Sequence, residues 1–91
     1  MRTLKSILLV EDDRVDAMTV KRALKDLNVT NPLAHTLNGE EALEYLTTES
    51  NRKPCIILLD LNMPRMNGIE FLKVIKADDK LRTIPVVVLT T

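Results

Sequence analysis

The sequence predicts an α/β fold built on a mostly parallel sheet, and three observations carry this prediction. Short apolar runs rich in β-branched residues recur along the chain. Between these runs lie segments whose apolar residues repeat at the spacing of an amphipathic helix. Two of those segments begin with a helix-capping pattern. The resulting order, β-α-β-α-β-α-β, requires right-handed crossovers with helices on both faces of the sheet.

Four segments are predicted to be strands. Residues 6–10 (SILLV), 55–59 (CIILL) and 85–89 (PVVVL) are continuous apolar runs, which is typical of strands covered on both faces. Residues 33–37 (LAHTL) are partly polar, and we expect them to form an edge strand.

Three helices are predicted between these strands. The apolar positions expected to share a helix face are, in chain order, Ala17, Val20, Leu24 and Leu27; Leu43 and Leu46; and Ile69, Leu72 and Ile75. Asn38 and Asn67 are each followed by a glutamate three residues later, a pattern that indicates a helix start.

Composition limits the classes of function that this chain can have. Its 91 residues make one domain at most, and 13 basic and 13 acidic side chains cancel, so nucleic acid and anionic membranes are disfavoured as partners. Cys55 has no second cysteine to pair with and is predicted to be a small core residue in a reducing compartment. The longest apolar runs span five residues, too few to cross a membrane. We therefore expect a cytoplasmic protein.

Acidic residues follow two of the predicted strands. Glu11, Asp12 and Asp13 come after the first strand, and Asp60 ends the third. Ligands of open α/β sheets bind beyond the carboxyl ends of the strands. If these strands are neighbours, the carboxylates converge and repel one another unless a cation lies among them, and oxygen-only ligands favour Mg²⁺. The alternative for Asp12 or Asp13 is a helix cap, which suits Asp13 best.

Three motifs, ILLVEDD, LLDLNMPRMNG and PVVVLTT, resemble the receiver domain of bacterial two-component response regulators. The resemblance implies a flavodoxin-like fold with strand order 2-1-3-4 for the strands present. Residues 1–91 would form the N-terminal three-quarters of a receiver, because the family pattern continues for another helix, strand and helix. The segment ADDKLRTIPVVVLTT also looks similar to stand-alone receivers that partner phytochrome-like histidine kinases.

The resemblance implies a role for each residue of the site. Asp60 matches the phosphoacceptor aspartate and is also a metal ligand. Glu11 and Asp12 match the acid pair that holds Mg²⁺, and Asn62 matches the residue whose backbone carbonyl is a further ligand. Thr90 matches the hydroxyl residue that hydrogen-bonds the phosphoryl group and moves when that group arrives.

The implied activity is phosphoryl transfer from a sensor histidine kinase or a phosphotransfer protein onto Asp60, which makes the chain a signalling switch rather than an enzyme. The lysine and the aromatic residue of the family's fifth strand have no counterpart in these residues. Lys73, Lys76 and Lys80 are instead expected to be solvated charges.

Two alternatives remain open. A phosphatase of the haloacid dehalogenase type needs a second aspartate two residues after the nucleophile, where this chain has Asn62. A module used only for dimerisation or docking is the stronger rival. An apolar edge at residues 86–89 and a net charge of zero favour a homo-oligomer.

His35, the single histidine, is expected to be a partly exposed structural residue.

Overall fold

The computed structural model describes residues 5–60 and 68–89. The elements in chain order are β1 (Ile7–Val10), α1 (Arg14–Asp26), β2 (Leu33–Thr36), α2 (Gly39–Thr47), β3 (Ile56–Asp60), α3 (Gly68–Ala77) and β4 (Val86–Leu89). All strand pairs are parallel and the sheet order is β2-β1-β3-β4. The predicted fold class, element order and strand order are therefore confirmed, and β2 lies at an edge as expected.

The two faces of the sheet are covered to different extents. The crossover from β1 to β2 runs in the opposite direction to the two later crossovers, so right-handed connections place α1 on one face and α2 and α3 on the other. The face below α2 and α3 carries a continuous buried core, formed by Leu8, Val10, Ala42, Leu46, Ile57, Leu59, Phe71, Ile75, Leu81 and Ile84. On the α1 face Leu9 and Ala17 are buried, whereas Val87 is 44% exposed. The α1 face is thus the more open one.

The predicted helix faces need two corrections. Leu27 was expected on the buried face of α1, but it is 73% exposed because it forms the C-cap, beyond the last full turn. Ile69 was expected to face the core from α3, but it is 55% exposed and Phe71 is fully buried instead. Phe71 and Ile75 lie one turn apart on the face that packs against the sheet.

The predicted start of α2 is confirmed. The Oδ1 atom of Asn38 accepts a hydrogen bond from the backbone N–H of Glu41 at 2.9 Å. The Glu41 carboxylate in turn accepts from the backbone N–H of Leu37 at 3.1 Å, so the side chain of each capping residue bonds the backbone at the helix start. Asn67, the other predicted cap, lies outside the described residues.

Cys55 is half-buried rather than fully buried. Its Sγ atom lies 3.4 Å from the carbonyl oxygen of Ser6, to which the thiol donates. Among the described residues, none of the helices has the length and apolar character needed to cross a bilayer.

Candidate functional site

Three carboxylates meet at the carboxyl end of the two central strands. β1 and β3 are neighbours, with Val10 paired to Leu59, so Glu11 leaves β1 beside Asp60 at the end of β3. One carboxylate oxygen from each of Glu11, Asp12 and Asp60 lies within 4.8 Å of the others. The structure therefore brings together the three acids that the sequence analysis singled out.

Two of these acids are removed from solvent. Glu11 is 3% exposed and Asp60 is 4% exposed, whereas Asp12 is exposed. Burial, with a further contribution from its hydrogen bond to Asp60, raises the pKa of Glu11 from 4.5 to about 7. Two buried acids side by side are unfavourable when both are ionised, and a bound cation would offset their repulsion.

The donor set fits a hard divalent cation. It consists of carboxylate oxygens, with no thiolate or imidazole among them, and such oxygens are the ligands that small hard cations prefer. The exposed position of Asp12 leaves one side of the cluster open to solvent. Solvent access would allow a bound cation to keep some of its water ligands.

Asp13 serves the helix rather than the cluster. Its Oδ1 atom accepts hydrogen bonds from the backbone N–H groups of Val15 at 2.8 Å and Asp16 at 3.2 Å, as the N-cap of α1. The helix-cap interpretation of Asp13 is therefore confirmed. The cap fixes where α1 begins, and with it the turn from which Asp12 extends.

The backbone of Glu11 is held on the side of β2. Its N–H donates to the carbonyl oxygen of Thr36 at 3.0 Å, and its own carbonyl oxygen accepts from Nε2 of His35 at 2.8 Å. His35 is half-buried, in keeping with the structural role predicted for it. Its link to the acidic site was not predicted, because it depends on the register that pairs Leu9 with His35.

The remaining predicted site residues, Asn62 and Thr90, lie outside the described residues. Lys73, Lys76 and Lys80 are exposed, as expected for solvated charges. The described part of the site is therefore the carboxylate cluster and the backbone turn that presents it.

A sequence model of the response regulator receiver domain matches residues 7–91. The chain belongs to this family. The match begins at the first residue of β1 and includes every described element of the fold.

Two curated relatives are similar over nearly all of the chain. The probable methanogenesis regulatory protein FilR2 of Methanothrix harundinacea is 43% identical over 93% of this chain and 57% of its own length. The response regulator Rcp1 of Synechocystis is 42% identical over 96% of this chain and 62% of its own length. The chain thus spans about three-fifths of the length of these relatives.

Solved structures of response regulators share the fold, and two of three similar structures are of proteins named as phytochrome or bacteriophytochrome response regulators. The bacteriophytochrome response regulator AtBRR has a TM-score of 0.90 at 40% identity, covering 98% of this chain and 68% of its own. The Mn²⁺-bound form of Rcp1 has a TM-score of 0.87 at 42% identity, covering 96% and 66%. The phosphorylated cyanobacterial phytochrome response regulator RcpA has a TM-score of 0.86 at 41% identity, covering 98% and 66%. The predicted likeness to phytochrome-associated receivers agrees with the similarity to AtBRR and RcpA.

Proposed function

We propose that this chain accepts a phosphoryl group on Asp60 from a sensor histidine kinase or a phosphotransfer protein, in a reaction that requires Mg²⁺. One observation carries the proposal: Asp60 ends a central strand with Glu11 and Asp12 beside it, all three within 4.8 Å. Membership of the receiver family supports the same role, and one similar structure, that of RcpA, is of a phosphorylated protein.

The metal would be held by Glu11, Asp12 and Asp60, with the backbone carbonyl of Asn62 as the further ligand that the resemblance implies. Bound Mg²⁺ supplies positive charge that offsets the negative charge of the phosphoryl oxygens and the carboxylates. A similar protein, Rcp1, has a Mn²⁺-bound form, which supports a divalent site in this family. The choice of Mg²⁺ rests on the oxygen-only donor set.

In the proposed reaction a carboxylate oxygen of Asp60 attacks the phosphorus atom of a donor phosphohistidine. The new O–P bond forms as the P–N bond breaks, the imidazole leaves, and Asp60 becomes an acyl phosphate. The chain contributes a fixed nucleophile and a site for the cation, so its part is positioning and electrostatics. Because Asp60 is itself the acceptor, we classify the chain as a phosphorylated signalling protein rather than an enzyme.

A labelling experiment tests this proposal. Incubation with acetyl phosphate and Mg²⁺ should add one phosphoryl group, located on Asp60 by mass spectrometry and removed by hydroxylamine. Asp60→Asn should stay unmodified. Asp13→Asn is the matched control, because it removes one nearby carboxylate while keeping a side chain that can cap α1, and it should be labelled like wild type. Label on Asp12, Asp13 or His35 would contradict the assignment.

We also propose that the chain forms a homo-oligomer through β4. Among the described strands β4 pairs only with β3, and its Val87 and Val88 side chains are 44% and 39% exposed. An exposed apolar edge strand is a template for pairing with another chain, and a net charge of zero does little to oppose association. A docking module that works without phosphorylation is the rival function, and it predicts an oligomer that takes no label.

Sedimentation equilibrium at micromolar concentration tests the oligomer. Val88→Lys should shift the protein toward monomer, because association through β4 would bury the new charge between the two chains. Val74→Lys on α3 is the matched control, since Val74 is a similarly exposed valine, at 42%, that lies outside β4. A wild-type protein that sediments as a monomer would refute the oligomer and leave the phosphoacceptor role intact.

A cytoplasmic location remains a prediction from the sequence.

A further inference from the structure

The backbone carbonyl of Glu11 lies where the ladder between β1 and β2 ends. The N–H of Glu11 donates to Thr36, and in a parallel ladder the next bond would bring the N–H of residue 38 to the Glu11 carbonyl. β2 ends at Thr36, however, and Asn38 begins α2 as its N-cap. The Glu11 carbonyl, one residue before Asp12, therefore takes its hydrogen bond from a side chain.

That side chain is His35, which donates from Nε2 across 2.8 Å. A carbonyl oxygen can only accept, so the contact requires a hydrogen on Nε2. Leu9 pairs with His35 in the ladder, which places the ring two residues short of the carbonyl along the neighbouring strand. The bond joins residues 24 positions apart and fixes the turn at Glu11 to the adjacent strand.

The same turn carries the metal-site acids. The Glu11 carboxylate accepts from the backbone N–H of Asp13 at 3.2 Å, and Asp13 caps α1. Rotation of the peptide unit between Glu11 and Asp12 would therefore disturb both the Glu11 carboxylate and the start of the helix. Among the contacts of the described residues, the His35 bond is the only one from outside the turn that restrains the carbonyl oxygen of this peptide unit.

We propose that His35 is a positioning residue, whose Nε2–H bond to the Glu11 carbonyl holds the turn of residues 11–13 in the geometry that binds the cation. The proposal rests on the function proposed above and assigns His35 no contact with the metal or the phosphoryl group. Loss of the bond should weaken Mg²⁺ binding about fivefold, the factor that corresponds to roughly 1 kcal/mol for one hydrogen bond.

A matched pair of variants tests the role of the donor. His35→Met and His35→Gln introduce side chains of similar length and shape, but only glutamine has an N–H donor at its end. Mg²⁺ affinity is measured by titration of amide shifts in ¹⁵N-labelled protein. We expect His35→Met to bind about fivefold more weakly and His35→Gln to bind within twofold of wild type. Tyr45→Phe, which removes a side-chain hydrogen bond at the opposite end of the sheet, should bind like wild type.

Amide hydrogen exchange in the metal-free protein separates this proposal from the function it rests on. His35→Met should speed exchange at Asp13 and Val15, whose N–H groups bond within the turn, and leave the amides of β3 unchanged. If wild type binds no Mg²⁺ but exchange responds in this way, the proposed function fails, whereas the restraint of the turn by the His35 bond stands. Unchanged exchange in His35→Met, or a glutamine variant as weak as the methionine variant, would overturn the proposal.

The tautomer of His35 gives a test that needs no variant. His35 is the only histidine in the chain, so its ring nitrogens are assigned without ambiguity in a long-range ¹H–¹⁵N correlation spectrum. When the ring is neutral, we expect the hydrogen on Nε2. A hydrogen on Nδ1 instead would leave Nε2 with none to donate to the Glu11 carbonyl, and this result would refute the proposal.

Discussion

The two ends of the parallel sheet satisfy their polar groups in different ways. At the amino end the contacts are neutral: the hydroxyl groups of Ser6 and Tyr45 lie 3.3 Å apart, and Nδ2 of Asn31 donates to the carbonyl oxygen of Lys5 at 2.9 Å. At the carboxyl end two buried acids, Glu11 and Asp60, lie beside each other. One end is built from compatible partners and the other from like charges.

This difference separates residues that stabilise the fold from residues that serve the site. Neutral hydrogen bonds at the amino end each contribute modestly to stability. The acids at the carboxyl end oppose folding when both are ionised and no cation is bound. Titratable groups with strongly shifted pKa values are concentrated at functional sites, so these acids indicate that the carboxyl end carries the site.

The largest expected effect of a single substitution is on cation binding at the carboxyl end. We expect wild-type protein to bind Mg²⁺ with a dissociation constant on the order of 1 mM. Asp12→Ala should weaken binding by about 30-fold or more, because the loss of a charged ligand costs roughly 2 kcal/mol. Asp12 is exposed, so the substitution should leave the fold intact. NMR titration with Mg²⁺ measures both quantities.

Asp16→Ala is the control for this prediction. Asp16 is an exposed acid in the first turn of α1, so its substitution changes the net charge equally without touching the cluster. Its affinity for Mg²⁺ should stay within twofold of wild type. Undiminished binding by Asp12→Ala would show that the cation is held elsewhere.

Much of this arrangement follows from the sequence. The apolar runs locate β1, β3 and β4, and the partly polar segment at 33–37 locates β2, each to within about a residue. The continuous pattern expected of strands buried on both faces holds for the central strands β1 and β3, whereas Val87 and Val88 of β4 are partly exposed. The meeting of Glu11 with Asp60 depends on β1 and β3 being neighbours, which periodicity alone leaves open and which the family resemblance supplied. Asp13 was assignable as a cap because of its position next to the helix start.

Other features could not be predicted because they depend on packing between distant segments. The spacing of Ile69, Leu72 and Ile75 is consistent with a helix face, but Phe71 is buried together with Ile75 and Ile69 is exposed. Packing against the sheet, rather than helix spacing alone, determines which apolar residues of α3 are buried. The bond from His35 to Glu11 depends on strand register. A single polar residue in a weak strand pattern gives no indication of such a contact.

The second prediction concerns pH in the absence of divalent cations. The pKa of Glu11 is raised to about 7 in the folded protein from an ordinary value of 4.5, so folding favours the protonated form. Its contribution to stability is fully present below pH 4.5 and is lost as the pH rises through about 7. We expect a loss of roughly 1 to 3 kcal/mol from this group between pH 4 and pH 8, measured by urea denaturation in EDTA.

Glu11→Gln isolates this contribution from the other titrating groups. The variant carries no charge at this position, so its stability relative to wild type should rise over the same pH interval. Added Mg²⁺ at pH 8 should stabilise wild type, because the cation binds only the folded cluster. A difference between the two proteins that does not change with pH would show that the pKa of Glu11 is not raised.

The smallest expected effects come from two substitutions, one at each end of the sheet, which should change the free energy of unfolding in opposite directions. At pH 8 in EDTA, Asp60→Asn should raise the free energy of unfolding by about 1 kcal/mol, because it removes one of two adjacent buried charges while keeping the shape of the side chain. Tyr45→Phe should lower it by roughly 0.5 to 1 kcal/mol, because Ser6 loses its partner. Urea denaturation measures both. If Asp60→Asn destabilises the protein as much as Tyr45→Phe does, the acids do not oppose folding and the contrast between the two ends is wrong.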